Sequence, residues 1–144
     1  MTEPASARDE MDALLDALVK FARMMLDEHG AFYPSGASID SEGTLGFAAG
    51  WDGNEQPETN EILQLLYQGL GERAARGEIH ASAVCMDVRV QRTGDTEKSD
   101  AVQVAIEHAH ADPVNVFLPY SKRRFGGVKY GEIFAEPGER RVFA

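Results

Sequence analysis

The chain is 144 residues long, 43% hydrophobic, with one cysteine and a formal net charge of -10. That length supplies about one domain; the apolar share excludes disorder throughout, no apolar run approaches the ~20 residues that span a bilayer, and a lone cysteine excludes an internal disulfide. The charge is uneven: residues 1–61 hold 13 acidic and 3 basic side chains, whereas residues 62–144 hold 11 of each, so the front half argues against nucleic acid and anionic lipid and suits a basic partner.

Residues 1–5 read as a frayed end without the basic start and apolar stretch of a secretory signal, so a cytoplasmic location is expected. Ser6-Ala7-Arg8-Asp9 has the spacing of a capping box. Met11, Leu14, Leu15, Leu18, Ala22, Met25 and Leu26 then recur every three or four residues, and Gly30 suits the position after a helix end. These signals predict a helix over about Ala7 to His29, its apolar stripe lying on a sheet. Two short extended runs follow, one containing Ala37 and Ile39 and the other Leu45 to Ala49, joined by Asp40-Ser41-Glu42-Gly43. They predict a hairpin with Gly43 at positive φ. Gly36, Gly46 and Gly50 mark either local bulging or a close approach by another backbone or a ligand. After a polar loop holding Trp51, Pro57 suits a first helical position, and Ile62, Leu63, Leu66, Leu70 and Ala74 predict a second helix ending at Gly77.

Three alternating stretches come next: Ser82 to Arg92, Ala101 to His110 and Val114 to Leu118. A period of two predicts an antiparallel meander, with turns at Thr93-Gly94-Asp95 and Ala111-Asp112-Pro113. Its dry side is expected to be built from Val84, Val104, Val116 and their neighbours of the same parity. From residue 119 onward a basic loop, Ser121-Lys122-Arg123-Arg124-Phe125-Gly126-Gly127, leads into an irregular tail. Val128 to Ala135 adds a short strand or wrap there, and Val142-Phe143 tucks back onto the body. The expected fold is α+β: a single domain over 1–144, with a five-stranded or slightly larger antiparallel sheet in the order α-β-β-α-β-β-β and the 119–144 tail packed on the sheet.

That order resembles the roadblock, longin and profilin group of small α/β sandwiches over about residues 7–118. Three strings, Phe32-Tyr33-Pro34-Ser35-Gly36, Trp51-Asp52-Gly53-Asn54-Glu55 and Val128-Lys129-Tyr130-Gly131-Glu132-Ile133-Phe134, resemble a bacterial family of small proteins without an assigned activity. The resemblance therefore implies no catalytic residues. Layout and acidity are also similar to small immunity proteins that neutralise toxins.

No catalytic or cofactor constellation stands out. His108 and His110, two apart on a strand, would share a face, but a structural zinc site needs four ligands and a catalytic one three. His80 could join them only if its strand end lay beside theirs, so the pair reads as a wet strand end and no metal is expected. Cys85 between apolar residues reads as a small buried hydrophobe. Gly69-Leu70-Gly71-Glu72-Arg73-Ala74 imitates a dinucleotide fingerprint but falls inside a helix. Asp52-Gly53-Asn54-Glu55 lacks the glycine and the final acid of a calcium loop. The remaining candidates are Trp51, Lys122, Arg123, Arg124 and Tyr130, where arginine forks, glycine amides and aromatics could hold an anion. Two functions follow. One is a non-enzymatic interaction module, immunity-like or homodimeric through a sheet edge or helix face. The other is a small enzyme or ligand sensor taking an anionic molecule in a pocket among the hairpin, Trp51 and the basic loop.

Overall fold

A computed structural model describes residues 6–49, 59–91, 94, 96–123 and 126–143. Among these residues two helices and seven strands follow in chain order: α1 (Ala7–His29), β1 (Ser35–Asp40), β2 (Leu45–Ala49), α2 (Thr59–Ala75), β3 (Ile79–Val90), β4 (Ser99–His108), β5 (Ala111–Lys122), β6 (Val128–Tyr130) and β7 (Phe134–Pro137). The strands form one antiparallel sheet in the order β2-β1-β3-β4-β5-β6, with β7 also pairing with β5. The α+β class and element order expected from the sequence are what the chain adopts, and the tail enlarges the five-stranded sheet by β6 and β7. No described helix is long and apolar enough to cross a membrane. Pro57, Trp51 and Arg124 lie outside the described residues.

Helix α1 begins and ends on local chemistry. The Asp9 N–H donates to Ser6 Oγ at 3.1 Å, and the Ser6 N–H reaches Asp9 Oδ2 at 3.4 Å, closing the capping box. At the other end Gly30 takes φ 70° and its N–H reaches the Leu26 carbonyl at 2.9 Å. Leu14, Leu18 and Ala22 are fully buried between these ends.

The three strands of the meander pair as expected, with Thr93 and Asp95 of the first expected turn outside the described residues, but the dry side differs. Cys85 pairs with Val104, which pairs with Val116, and all three lie under α1 with Ala37, Ala81, Ala83 and Ile106. Val84 faces the other way, into a second cluster with Ile62, Leu66 and Leu70 of α2. The centre of the sheet is therefore buried on both faces, so β3 is apolar or small in both parities instead of alternating wet and dry. Small residues set the helix distances. A Cβ on Gly36 would stand 3.3 Å from Leu66 Cδ2 and 3.4 Å from the Ala83 carbonyl, so this glycine marks the close approach of α2 to β1. Gly46 has nothing within 4 Å of its Cβ position, and Gly50 is not among the described residues.

The β4–β5 turn is also shifted from its expected place. Ala109 and His110 make it, and Ala111 already belongs to β5. The Ala109 N–H is taken by the His80 carbonyl at 2.9 Å and the His110 N–H by His108 Nδ1 at 3.0 Å. Pro113 is accommodated within β5 beside a register shift.

The tail fastens itself to the sheet. Phe134 of β7 stacks on Phe117 with centroids 5.0 Å apart, and the Gly138 N–H reaches the Pro113 carbonyl at 3.0 Å. Glu107, only 3% exposed, then accepts the N–H groups of Arg141, Val142 and Phe143 at 2.8, 2.9 and 3.3 Å. Val142 is buried in the α2 cluster, and the Arg141 guanidinium lies 3.7 Å from the Tyr67 ring centroid. Replacing Glu107 strands three amides and frees the strap. Glu107→Ala is expected to lower the unfolding free energy by about 2–4 kcal/mol in urea titration, with Glu107→Gln, which retains an acceptor, losing less.

Candidate functional site

Three ionisable side chains that are far apart in sequence converge where the first turn of α1 meets the ends of β3 and β4. Glu10 Oε2 lies 2.6 Å from His80 Nε2, and Glu10 Oε1 lies 3.0 Å from His108 Nε2. The exposures are 11% for the Glu10 side chain, 28% for His80 and 3% for His108. The backbone explains how His80 arrives. Ile39 pairs with Ala81 but Asp40 with Ile79, so His80 is the extra residue of a β-bulge. A bulge breaks the strict alternation of side chains and re-aims one of them, here onto the α1 face beside Ala81. His108 reaches the same face by ordinary alternation, directly across from Ala81.

The hydrogen bonds fix the chemistry of this group. The His110 amide donates to His108 Nδ1, and a ring nitrogen that accepts carries no proton. Nε2 therefore holds the proton and donates it to Glu10. Burial alone would raise the Glu10 carboxyl; the hydrogen bonds from His108 and His80, with their electrostatic attraction, more than offset it and leave it below the ordinary 4.5. The three ligand atoms lie within 4.8 Å of one another, as a metal-binding carboxylate and two imidazoles would. A cation on His108 Nε2 would force its proton onto Nδ1, directly against the His110 N–H. The arrangement present is a proton-bridged clamp. A cavity of about 450 Å³ opens beside it, lined by Asp9, Glu10, Ser41, Glu42, Leu45 and His80.

A second feature is the outer edge of β2, which has no neighbour among the described strands. Leu45-Gly46-Phe47-Ala48-Ala49 carries no charge, proline or bulge. Phe47 is 65% exposed, the most exposed of the large hydrophobic residues described. The opposite edge is different: short strands β6 and β7 line β5 there, and Lys129, Glu136 and Pro137 punctuate them.

Of the residues singled out from the sequence, Lys122 ends β5 and is exposed, and Arg123 is exposed with its N–H on the Gly127 carbonyl at 2.9 Å. Tyr130 is turned to α1, its ring 4.6 Å from the Arg23 guanidinium carbon and its hydroxyl 3.5 Å from Asp27. Trp51 and Arg124 of the expected pocket lie outside the described residues; in the sheet order β3 and β4 stand between the β1–β2 hairpin and β5. His110 also leaves the face it was expected to share with His108, because it sits in the turn. His80, the conditional third member, does come alongside. Glu10 was missed: in a first helical turn it reads as a partner of the helix dipole, and nothing local ties it to residues 70 and 98 positions away. Cys85 is fully buried, and burial, with Asp87 adding to it, pushes its thiol up to about 12, so it is no nucleophile at neutral pH.

No protein-family model, curated protein or solved structure matches the chain.

Because the folded Glu10 carboxyl titrates below the unfolded one, its stabilisation is fully present above the unfolded value and is lost as pH falls through the folded value. Glu10→Gln is expected to cost about 1.5–3 kcal/mol near pH 7. In urea titrations repeated at decreasing pH, the gap between the two proteins should narrow below pH 4.5, the ordinary carboxyl value.

Proposed function

We propose that this chain is a non-enzymatic interaction module that receives a protein partner along the outer edge of β2. The observation that carries the reading is the state of that edge. An unpaired strand presents a row of N–H and C=O groups that will accept another strand, and proteins normally blunt such edges with charge, proline or bulges. β2 has none of these and adds a largely exposed Phe47. Strand addition to a free edge is a general mode of recognition, with main-chain hydrogen bonds giving affinity and side chains giving selectivity.

A small-molecule sensor is the second reading, and the cavity beside His80 favours it. Asp9, Glu10 and Glu42 in its lining suit a cationic ligand, unlike the anion expected near Lys122 and Arg123. Thermal-shift screening with cationic and anionic metabolites separates the two.

The interaction reading is tested by placing a photo-crosslinking amino acid at position 47 and, as a control, at position 24, where Met24 is 47% exposed on α1. Crosslinked protein recovered from cells at position 47 and not at position 24 is the expected result. Capture at position 24 alone, or at neither, would count decisively against the β2 edge.

A further inference from the structure

We propose that the strand added to β2 is β2 of a second copy of this chain, joined about a two-fold axis through Phe47. The inference rests on the reading of β2 as a binding edge and goes on to name the occupant.

The hydrogen-bond alternation of the hairpin sets the geometry. In an antiparallel pair, residues alternate between those that bond across to the partner strand and those whose N–H and C=O point away from it. The Asp40 N–H donates to the Thr44 carbonyl at 3.0 Å, which makes Asp40 and Thr44 a bonded pair. Counting along the register, Ser38 with Gly46 and Gly36 with Ala48 are also bonded pairs. The other side of β1 agrees, since the Ser41 N–H points to β3 and reaches the Glu78 carbonyl at 3.1 Å. Leu45, Phe47 and Ala49 therefore direct their backbone groups away from the sheet. These three residues are spaced evenly about Phe47, the centre of the five described residues of β2.

A second β2 laid antiparallel with Phe47 opposite its own counterpart uses every outward group of the described strand. Leu45 of each copy then lies opposite Ala49 of the other, and each facing pair exchanges two hydrogen bonds. A register slipped by two residues leaves outward groups unmatched at both ends. The strand is thus complementary to itself at one register, as an isologous interface requires. No like charges meet there, because the strand has none. Gly46 and Ala48, which face each other on the α2 side, are small. On the α1 side the two exposed Phe47 rings become direct cross-strand neighbours, a favoured aromatic pairing.

Two properties of the dimer follow. Five residues per copy bury less than the roughly 1,600 Å² of a standard stable interface, so association is concentration-dependent. Two copies with a net charge of -10 repel each other through solvent, so added salt tightens the dimer by screening.

Sedimentation equilibrium of the full chain between about 1 and 500 µM, at low and moderate salt, reads both properties. A monomer–dimer equilibrium that strengthens with salt is expected. Phe47→Pro should weaken it at least ~10-fold without unfolding the chain, because the N–H it removes points away from β1. Circular dichroism and the thermal midpoint monitor the fold. If Phe47→Pro destabilises the chain, Phe47→Cys supplies a second route. Facing residues of a bonded pair stand ~5.5 Å apart, within disulfide range, so mild oxidation should link two copies far faster than it links Met24→Cys. A chain that stays monomeric throughout, with Phe47→Cys crosslinking no faster than Met24→Cys, overturns the proposal. So does a dimer that a folded Phe47→Pro leaves intact. If position 47 captures only another protein in cells while the pure chain is monomeric, the self-pairing fails and the interaction reading stands; no capture at position 47 removes both.

Discussion

Both layers wrapped around this sheet are fastened at the last two residues of β4. Glu107 and His108 are adjacent, each 3% exposed or less, and a strand sends adjacent side chains to opposite faces. His108 turns to the α1 side and gives its Nε2 proton to Glu10, fixing the start of the helix. Glu107 turns to the α2 side and gathers three successive amides of the C-terminal strap. The Arg140 guanidinium closes the arrangement by donating to the His108 and Ala111 carbonyls at 3.1 and 2.8 Å. A buried carboxylate is costly unless its lone pairs are filled. In both cases the donors come from a segment that must be in place for the fold to be complete. That makes the two acids conditional: each stabilises only the correctly assembled chain.

How much of this could be read from the sequence depends on the range of the signal. Helix α1 was legible to the residue, because Ser6, Asp9 and Gly30 act within one turn of its ends and the stripe between them repeats at the helical period. The meander was legible as strands but not as faces. Alternation around Val84 suggested one dry side, yet Ala81, Ala83 and Cys85 of the opposite parity are apolar or small too. That near-continuous run is the mark of a strand covered on both sides. The cluster around Glu10 was not legible. It depends on a one-residue bulge at His80, which leaves no compositional trace and reverses the side-chain direction that strict alternation assigns. The strap was legible only as apolar anchors, since Glu107 looks like any polar member of an alternating strand until the amides of residues 141–143 are seen around it.

The two edges of the sheet show how the chain treats exposed backbone. Along β5 it supplies its own cover, turning back twice to lay down β6 and β7. Those strands are three and four residues long and carry a lysine, a glutamate and a proline, which leaves a poor template for further pairing. Along β2 the corresponding groups of Leu45, Phe47 and Ala49 have no described strand beside them. The difference does not come from what each edge must bury. Leu45 and Ala48 already pack against the two clusters, and a polar residue at position 47 would keep the same backbone pairing with Ala37. A phenylalanine that is 65% exposed at the midpoint of an unguarded edge contributes little to the fold it belongs to. Its physical consequence lies outward, where its ring and the three outward backbone positions form one surface ready to be covered.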